Sequence, residues 1–382
     1  MVKAIKRFLI RLLTANPYRI VQFNELCQNV IGSPIDSAET LDGILYEERG
    51  SLVYYNGFPN TFNQTFNLKK IGKKSRYLQI GLFSEPNRLI YSMEDTNIYG
   101  SLGIIYNAQK RAFIEESTKE WLINLKNSNY TNIYKLPQSN QLPGISLSCL
   151  SNGADGGYYH FIHEVLPKLW FCRNMIPYTD NIFFNGPPVS WKLKWLNFFN
   201  VDINRIIWIG PYDNYNCKQL LFSSRIINDQ QINHYSILAL KALIGNRTIQ
   251  IPDQNKVLYI SRAGESERDL KWENELLQQY PYFKKINARN LSVEDTINHF
   301  ASASLVIAAH GAGLSNLFLC HPGTKVLELY PDLDHYQPCY TRISDICKLK
   351  HYVAAIDFNQ KANKTMGIDF LTSIINTLLV KN

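Results

Sequence analysis

Three groups of residues combine types and spacings that chemistry could use. The first is the apolar run Leu305-Val306-Ile307-Ala308-Ala309 followed by His310-Gly311-Ala312-Gly313-Leu314-Ser315-Asn316. A strand that passes through small residues into a helix lets backbone N–H groups and the helix dipole meet a phosphate with no side chain in the way. The run lacks the Gly-Lys-Ser/Thr ending of a Walker loop and is not a full G-x-G-x-x-G; a tight strand-to-helix turn would use the same glycines. Upstream, Tyr259-Ile260-Ser261-Arg262 ends another apolar run, and Arg268 follows in the next loop. Both guanidinium groups would project beyond the carboxyl ends of strands, where ligands of open α/β sheets sit. Arginine pairs bidentately with phosphate and stabilises the charge of a departing diphosphate. Glu328, within Val326-Leu327-Glu328-Leu329, is a carboxylate at a predicted buried position that either bonds a ribose hydroxyl or anchors the loop backbone.

The second group lies in Gly156-Gly157-Tyr158-Tyr159-His160-Phe161-Ile162-His163-Glu164-Val165-Leu166-Pro167. In a helix starting near Tyr159, His160 and Glu164 are spaced i, i+4, close enough to hydrogen-bond and present one proton acceptor. The same pair could instead fix a helix internally. His163 falls near that face, and Tyr159 and Asp155 are further site candidates. The order His-x-x-His-Glu is not the His-Glu-x-x-His of zinc peptidases. Pro167 would kink or restart the helix. The third group, Asp332-Leu333-Asp334, matches the D-x-D pattern that holds a divalent metal in many sugar transferases, although the pattern is common by chance and no metal site is expected here.

These residues need elements to hold them. Residues 43–114 are rich in short apolar and aromatic runs punctuated by Gly, Asn and Pro, which predicts a β-rich section. Residues 113–126 have helical periodicity, and 147–150 read as a strand entering the His160 segment. Beyond Ser151, apolar runs alternate with helical stretches: 181–184, 191–199, 205–209 and 219–222. Alternation of this kind signals βαβ units and a parallel sheet, placing a Rossmann-like part at about 147–228. A helical stretch at 230–243 is the predicted connection. After it come a strand ending at Ile260, a helix at 272–279, a strand at 283–286, a helix at 293–302, a strand at 305–309, a helix at 314–320 and a strand at 326–330. Ser292 with Asp295 is a capping-box signal for the second of these helices. At 382 residues the chain exceeds the usual size of one core, which predicts two domains, at 1–235 and 236–382.

Composition excludes some classes. Hydrophobic residues at 45% with charged residues at 19% are incompatible with a disordered chain. A net charge of +8 favours anionic partners such as nucleotide phosphates, but no zinc-finger or RNP sequence accompanies it, so no nucleic-acid partner is expected. Seven dispersed cysteines without a C-x-x-C pair read as reduced thiols in a reducing compartment. Residues 2–13 alternate Ile5, Phe8, Leu9 and Leu12 with Lys3, Lys6, Arg7 and Arg11, a basic amphipathic helix too short and charged to span a membrane. It would either lie on a membrane surface or pack on its own domain. The expected location is cytoplasmic, at most peripheral at the inner membrane face.

In order and spacing, the 156–169 segment, Tyr259-Ile260-Ser261-Arg262 with Arg268 and Asn274-Glu275, His310 to Asn316, and Val326-Leu327-Glu328-Leu329 together resemble glycosyltransferase family 61. The resemblance covers about 147–330 and leaves the first 140 residues untouched. It implies an α/β, GT-B-type architecture of two Rossmann-like domains facing a cleft, with the β-rich section added. It also implies transfer of a sugar from a nucleotide-diphosphate donor to a glycan or lipid-linked glycan hydroxyl, with inversion and without an obligatory metal or other cofactor. The family's His-x-x-x-acidic pattern falls on His160 and Glu164, making Glu164, or His160 relayed by it, the base. Arg262, Arg268, His310, the stretch from Gly311 to Asn316 and Glu328 then form the donor site. His163 stands where the family usually has an apolar or aromatic residue. Bacterial capsule or lipopolysaccharide synthesis is the expected setting. Transfer of a pyruvyl or phosphoryl group to a glycan, or a catalytically silent glycan- or nucleotide-binding module, are the alternatives.

Overall fold

The computed structural model describes residues 19–22, 26, 43–55, 59–62, 81–117, 136–227, 232–245, 253, 256–264, 269–331, 333, 336–358 and 367–380. The basic segment 2–13 lies outside them. The chain forms two compact units, one of residues 1–51 and 84–230, the other of residues 52–83 and 231–382. The sequence reading divided the chain once, at 235, and kept 52–83 with the N-terminal part. The short strand Asn60–Thr61 instead pairs in parallel with Lys350–Ala355, a long-range pairing that local periodicity does not encode.

In the first unit, the expected β-rich section and the expected Rossmann-like part are one sheet. Among the described residues it has nine strands. The long strand Arg88–Tyr99 pairs antiparallel with Ile104–Asn107, Gly43–Glu48 and Asn214–Ser223, and Asn140–Ser148, Asn181–Asn185 and Ile206–Ile209 continue the sheet in parallel. Its parallel half is the part expected to be Rossmann-like, and its antiparallel half is the β-rich section with its pairing to Asn214–Ser223. Its core gathers Tyr91, Met93, Ile98, Phe183, Ile209, Leu220 and Phe222 from strands of both sections. The helix expected from Phe113 is not formed at its start: Ala112–Ile114 is a strand paired to Ile104–Asn107 and a short 3-10 turn follows, with 118–135 outside the described residues. Ala112, Phe113 and Ile114 are all buried, as a strand covered on both faces allows.

The second unit follows the sequence closely. Val257–Ile260, Lys284–Ile286, Leu305–Ala309, Lys325–Tyr330 and Lys350–Ala355 are all parallel. Val257–Ile260, Leu305–Ala309 and Lys325–Tyr330 are buried along their whole length, as the central strands of a sheet covered on both faces are, whereas the strand Lys284–Ile286 exposes both its lysines. In space Lys284–Ile286 lies beside Val257–Ile260, followed by Leu305–Ala309, Lys325–Tyr330 and Lys350–Ala355. The strand order therefore reverses between Val257–Ile260 and Leu305–Ala309, the position at which open α/β sheets bind ligands. Helix Val293–Ala301 begins at Ser292, whose side chain accepts from the Asp295 N–H at 3.0 Å, as the capping signal predicts. Helix Ile368–Val380 buries Leu371, Ile374, Ile375 and Leu378, the i, i+3, i+4, i+7 stripe of an amphipathic helix, in the same core as Val257, Ile307 and Leu327. Helix His234–Ile244, expected as a connection, belongs to this unit, and the Asn233 side chain caps it. The six described cysteines are free thiols, and five are buried. Among the described residues, no helix is long and apolar enough to cross a membrane.

Candidate active site

In the first unit the chain leaves strand Asn140–Ser148, turns through residues 149–157 and enters a helical segment. That segment is α-helical over Tyr158–His160, widens to a π-helix over Phe161–Val165 and returns to α over Leu166–Phe171. Pro167 stands in the first turn of the resumed α-helix, in keeping with the expected restart. A proline ring clashes with the carbonyl four residues back, here that of His163, and the wider turn lies at that place.

His160 immediately precedes the widened turn and Glu164 lies within it. The His160 Nδ1 is 2.8 Å from Glu164 Oε1, and Ser151 Oγ donates to Glu164 Oε2 at 2.5 Å. The Glu164 side chain is 3% exposed and that of His160 20% exposed. Glu164 is thus held on both oxygens beneath a partly open imidazole. A carboxylate at Nδ1 keeps the ring proton on that nitrogen, making Nε2 the basic one. Gly153 and Gly157 make room for the ring. A methyl group at Gly153 would come within 2.8 Å of His160 Cδ2 and 3.1 Å of Nε2, and one at Gly157 within 2.7 Å of Cδ2. His163 is fully buried, 5.2 Å from the Tyr159 ring. Tyr159 also packs edge-on against His160. Asp155 is exposed in the turn.

The turn is pinned by groups the sequence reading missed. Asn185, ending the neighbouring strand, accepts from the Ser151 N–H at 3.1 Å and donates to the Ser151 carbonyl at 2.9 Å. Lys192 is fully buried and its Nζ donates to the carbonyls of Asn185 and Asp155. Desolvation lowers its pKa to about 8, with Asp155 opposing the shift. Lys168 Nζ reaches the Leu150 carbonyl at 2.5 Å. The signal available for these lysines was their position in otherwise apolar helical stretches.

In the second unit Arg262 and His310 follow the two strands that flank the reversal. Arg262 Nη1 donates to the His310 carbonyl at 2.9 Å. A side chain at Gly311 would overlap that nitrogen, its Cβ lying 1.4 Å away, which explains the glycine. Gly311 has extended backbone, φ 168°, so space and not conformation requires it. At Gly313 a Cβ would come within 2.9 Å of Ile260 Cγ2. The helix expected from Leu314 is a 3-10 helix, Ala312–Leu319. Ala312 is exposed and Gly313 half-buried, while Leu314, Ser315 and Asn316 are fully buried. Only the start of the loop therefore faces outward; Asn316 Nδ2 turns back to the Gly313 carbonyl, and Ser315 bonds Tyr340. Behind Arg262, Ser261 Oγ donates to Glu273 at 2.8 Å and Lys285 pairs with the same carboxylate at 2.6 Å.

Glu328, expected among the donor-binding residues, turns inward to two histidines. Its side chain is fully buried, with Oε1 at 2.6 Å from His310 Nδ1 and Oε2 at 3.0 Å from His351 Nε2. Ser344 Oγ contacts His351 Nδ1 at 2.7 Å, and Tyr330 OH lies 2.9 Å from His310 Nδ1. Burial raises the pKa of Glu328, but hydrogen bonds and charge from His310 and His351 outweigh it and hold the carboxyl at about 2. Of the two roles read from sequence, anchoring fits this geometry: Glu328 orients His310 and with it the loop. The register explains the cluster. Ala308 pairs with Glu328 and Val326 with His351, so His310, Glu328 and His351 fall on one face of three successive strands. Arg268, Asp332 and Asp334 lie outside the described residues.

Both clusters fall within or beside one stretch of recognisable sequence. Residues 158–327 match the model of the family described as Glycosyltransferase 61. The match takes in His160, Glu164, Arg262 and the loop from His310 to Asn316, and stops one residue short of Glu328. A search of curated proteins finds no match.

Proposed function

We propose that this chain, of which residues 158–327 match the Glycosyltransferase 61 model, is a glycosyltransferase that moves a sugar from a nucleotide-diphosphate donor to a glycan hydroxyl with inversion at the anomeric carbon. The observation that carries this reading is the His160–Glu164–Ser151 chain, a partly exposed imidazole oriented by a buried carboxylate that is itself held in place. Such an arrangement suits a general base.

In the proposed reaction the acceptor hydroxyl gives its proton to His160 Nε2, and Glu164 stabilises the imidazolium that forms. The acceptor oxygen forms its bond to the anomeric carbon as the bond from that carbon to the diphosphate oxygen breaks. The electron pair leaves with the nucleoside diphosphate, whose charge meets Arg262 and the backbone N–H groups at the start of Ala312–Leu319. His310 and Glu328 set the shape of that loop. The reading carries with it the GT-B pairing of acceptor and donor domains expected for the family, a glycan or lipid-linked glycan acceptor, and surface polysaccharide assembly as its setting.

Glu164→Gln tests it. Transfer is expected to fall steeply while donor affinity, measured by calorimetry, stays the same; wild-type transfer by this variant would remove Glu164 from the mechanism.

A further inference from the structure

The first unit contains a cavity that the chemistry above does not use. Its volume is about 180 Å³, and it is lined by Tyr99, Ser101, Leu102, Asn152, Gly153, Asp155 and neighbours that include Pro211. Gly153 is the wall it shares with the candidate base, because this glycine lies against the His160 ring edge that carries Nε2. Sites for drug-sized ligands begin at roughly 300 Å³, so this space takes one sugar ring and not a nucleotide.

The lining has two characters. Ser101, Asn152 and Asp155 offer a hydroxyl, a carboxamide and a carboxylate, while Tyr99, Leu102 and Pro211 are apolar. A pyranose likewise presents hydroxyls along its edge and C–H groups on its faces, and pockets orient ligands with a few placed polar groups on an apolar lining. Among the described residues lining the cavity, Asp155 supplies the charge. It would repel a carboxylate or phosphate on the bound sugar, since like charges brought together are costly. The site is also rigid: the Asp155 carbonyl is fixed by Lys192, and Ser101 and Ser151 carbonyls are both bonded by the Asn185 amide.

We infer that this cavity is the acceptor subsite: it holds the sugar whose hydroxyl is glycosylated, Asn152 and Asp155 bind that sugar's other hydroxyls, and Asp155 restricts it to an uncharged sugar. The inference rests on the proposed role of His160 as base.

The test reads binding without donor. The purified full chain is titrated with the methyl glycosides of glucose, galactose, xylose and N-acetylglucosamine, and with the methyl glycoside of glucuronic acid, by saturation-transfer NMR. At least one neutral glycoside is expected to bind, and Asn152→Ala and Asp155→Ala should each weaken it about fivefold, the effect of one hydrogen bond. The glucuronide should bind less well than the glucoside, and Asp155→Asn should narrow that gap, which a purely structural role for Asp155 would not do. Glu164→Gln should keep glycoside binding. The subsite is overturned by the absence of binding from every neutral glycoside, by wild-type affinity in both alanine variants, or by a glucuronide that binds as well as the glucoside. Weakened binding in the alanine variants alongside wild-type transfer by Glu164→Gln would support the subsite and overturn the base.

Discussion

Each unit of this protein contains a histidine hydrogen-bonded to a buried glutamate, and the two pairs differ in what surrounds them. His160 and Glu164 share a helical segment, and the imidazole remains 20% exposed. His310 follows one strand and Glu328 stands on the adjacent one; their side chains are 8% and 0% exposed, and His351 takes the second carboxylate oxygen. One pair leaves a ring edge toward solvent, where a substrate proton can arrive. The other is closed by Tyr330, Ser344 and His351 and can only hold a loop in shape. In the proposed mechanism the same pairing serves proton transfer in one unit and scaffolding in the other, according to burial, and mutations in the two pairs should separate along that line.

The largest effect is expected from Glu164→Gln. Removing the orienting charge should lower kcat about 10²- to 10⁴-fold, the span of general base catalysis, with donor dissociation constant unchanged. A drop confined to donor affinity would place Glu164 with the scaffolding pair instead. Next comes Arg262→Ala, which should weaken donor binding about 10- to 100-fold, because hydrogen bonds to charged groups contribute about 1.5–3 kcal/mol. Gly311→Ala should reproduce much of that loss by displacing the guanidinium, and normal donor affinity in this variant would show that Arg262 works from another position. Ser151→Ala removes one support of Glu164 and should cost roughly tenfold in kcat, seen in steady-state kinetics.

The smallest catalytic effect and the clearest pH signature belong to Glu328. Its carboxyl titrates at about 2 in the folded protein against an ordinary value of 4.5. Between those values the unfolded chain binds more protons, so the stabilisation is complete above pH 4.5 and is lost as pH falls towards 2. It amounts to something on the order of 3 kcal/mol. Thermal unfolding of Glu328→Gln across that window should show a shallower acid limb than the wild type; parallel limbs would contradict the assignment.

The comparison also marks what sequence could tell. The central strands of the second unit were legible almost to the residue, because Leu305–Ala309 is a continuous apolar run and its neighbour Lys325–Tyr330 is largely apolar, both buried throughout. The Ser292 cap and the His160–Glu164 spacing were equally local signals. What was lost is what depends on pairing between distant strands. The antiparallel half of the first sheet, the transfer of 52–83 to the other unit and the His351 contact to Glu328 all arise from register. Phe113 was misread as a helix start because an apolar strand of three residues carries no periodicity to betray it. Ser151 was missed as a partner of Glu164 since it lies 13 residues away, across a turn whose glycines were noticed only in part.

The central claim is that His160 carries the proton of a sugar-transfer reaction. The most direct measurement is release of nucleoside diphosphate from a panel of nucleotide sugars, with neutral glycosides as acceptors, by the wild type and by His160→Ala. The account expects one donor to be turned over by the wild type, and His160→Ala to bind that donor normally but turn it over at least about 100-fold more slowly. Turnover at the wild-type rate by His160→Ala would contradict it.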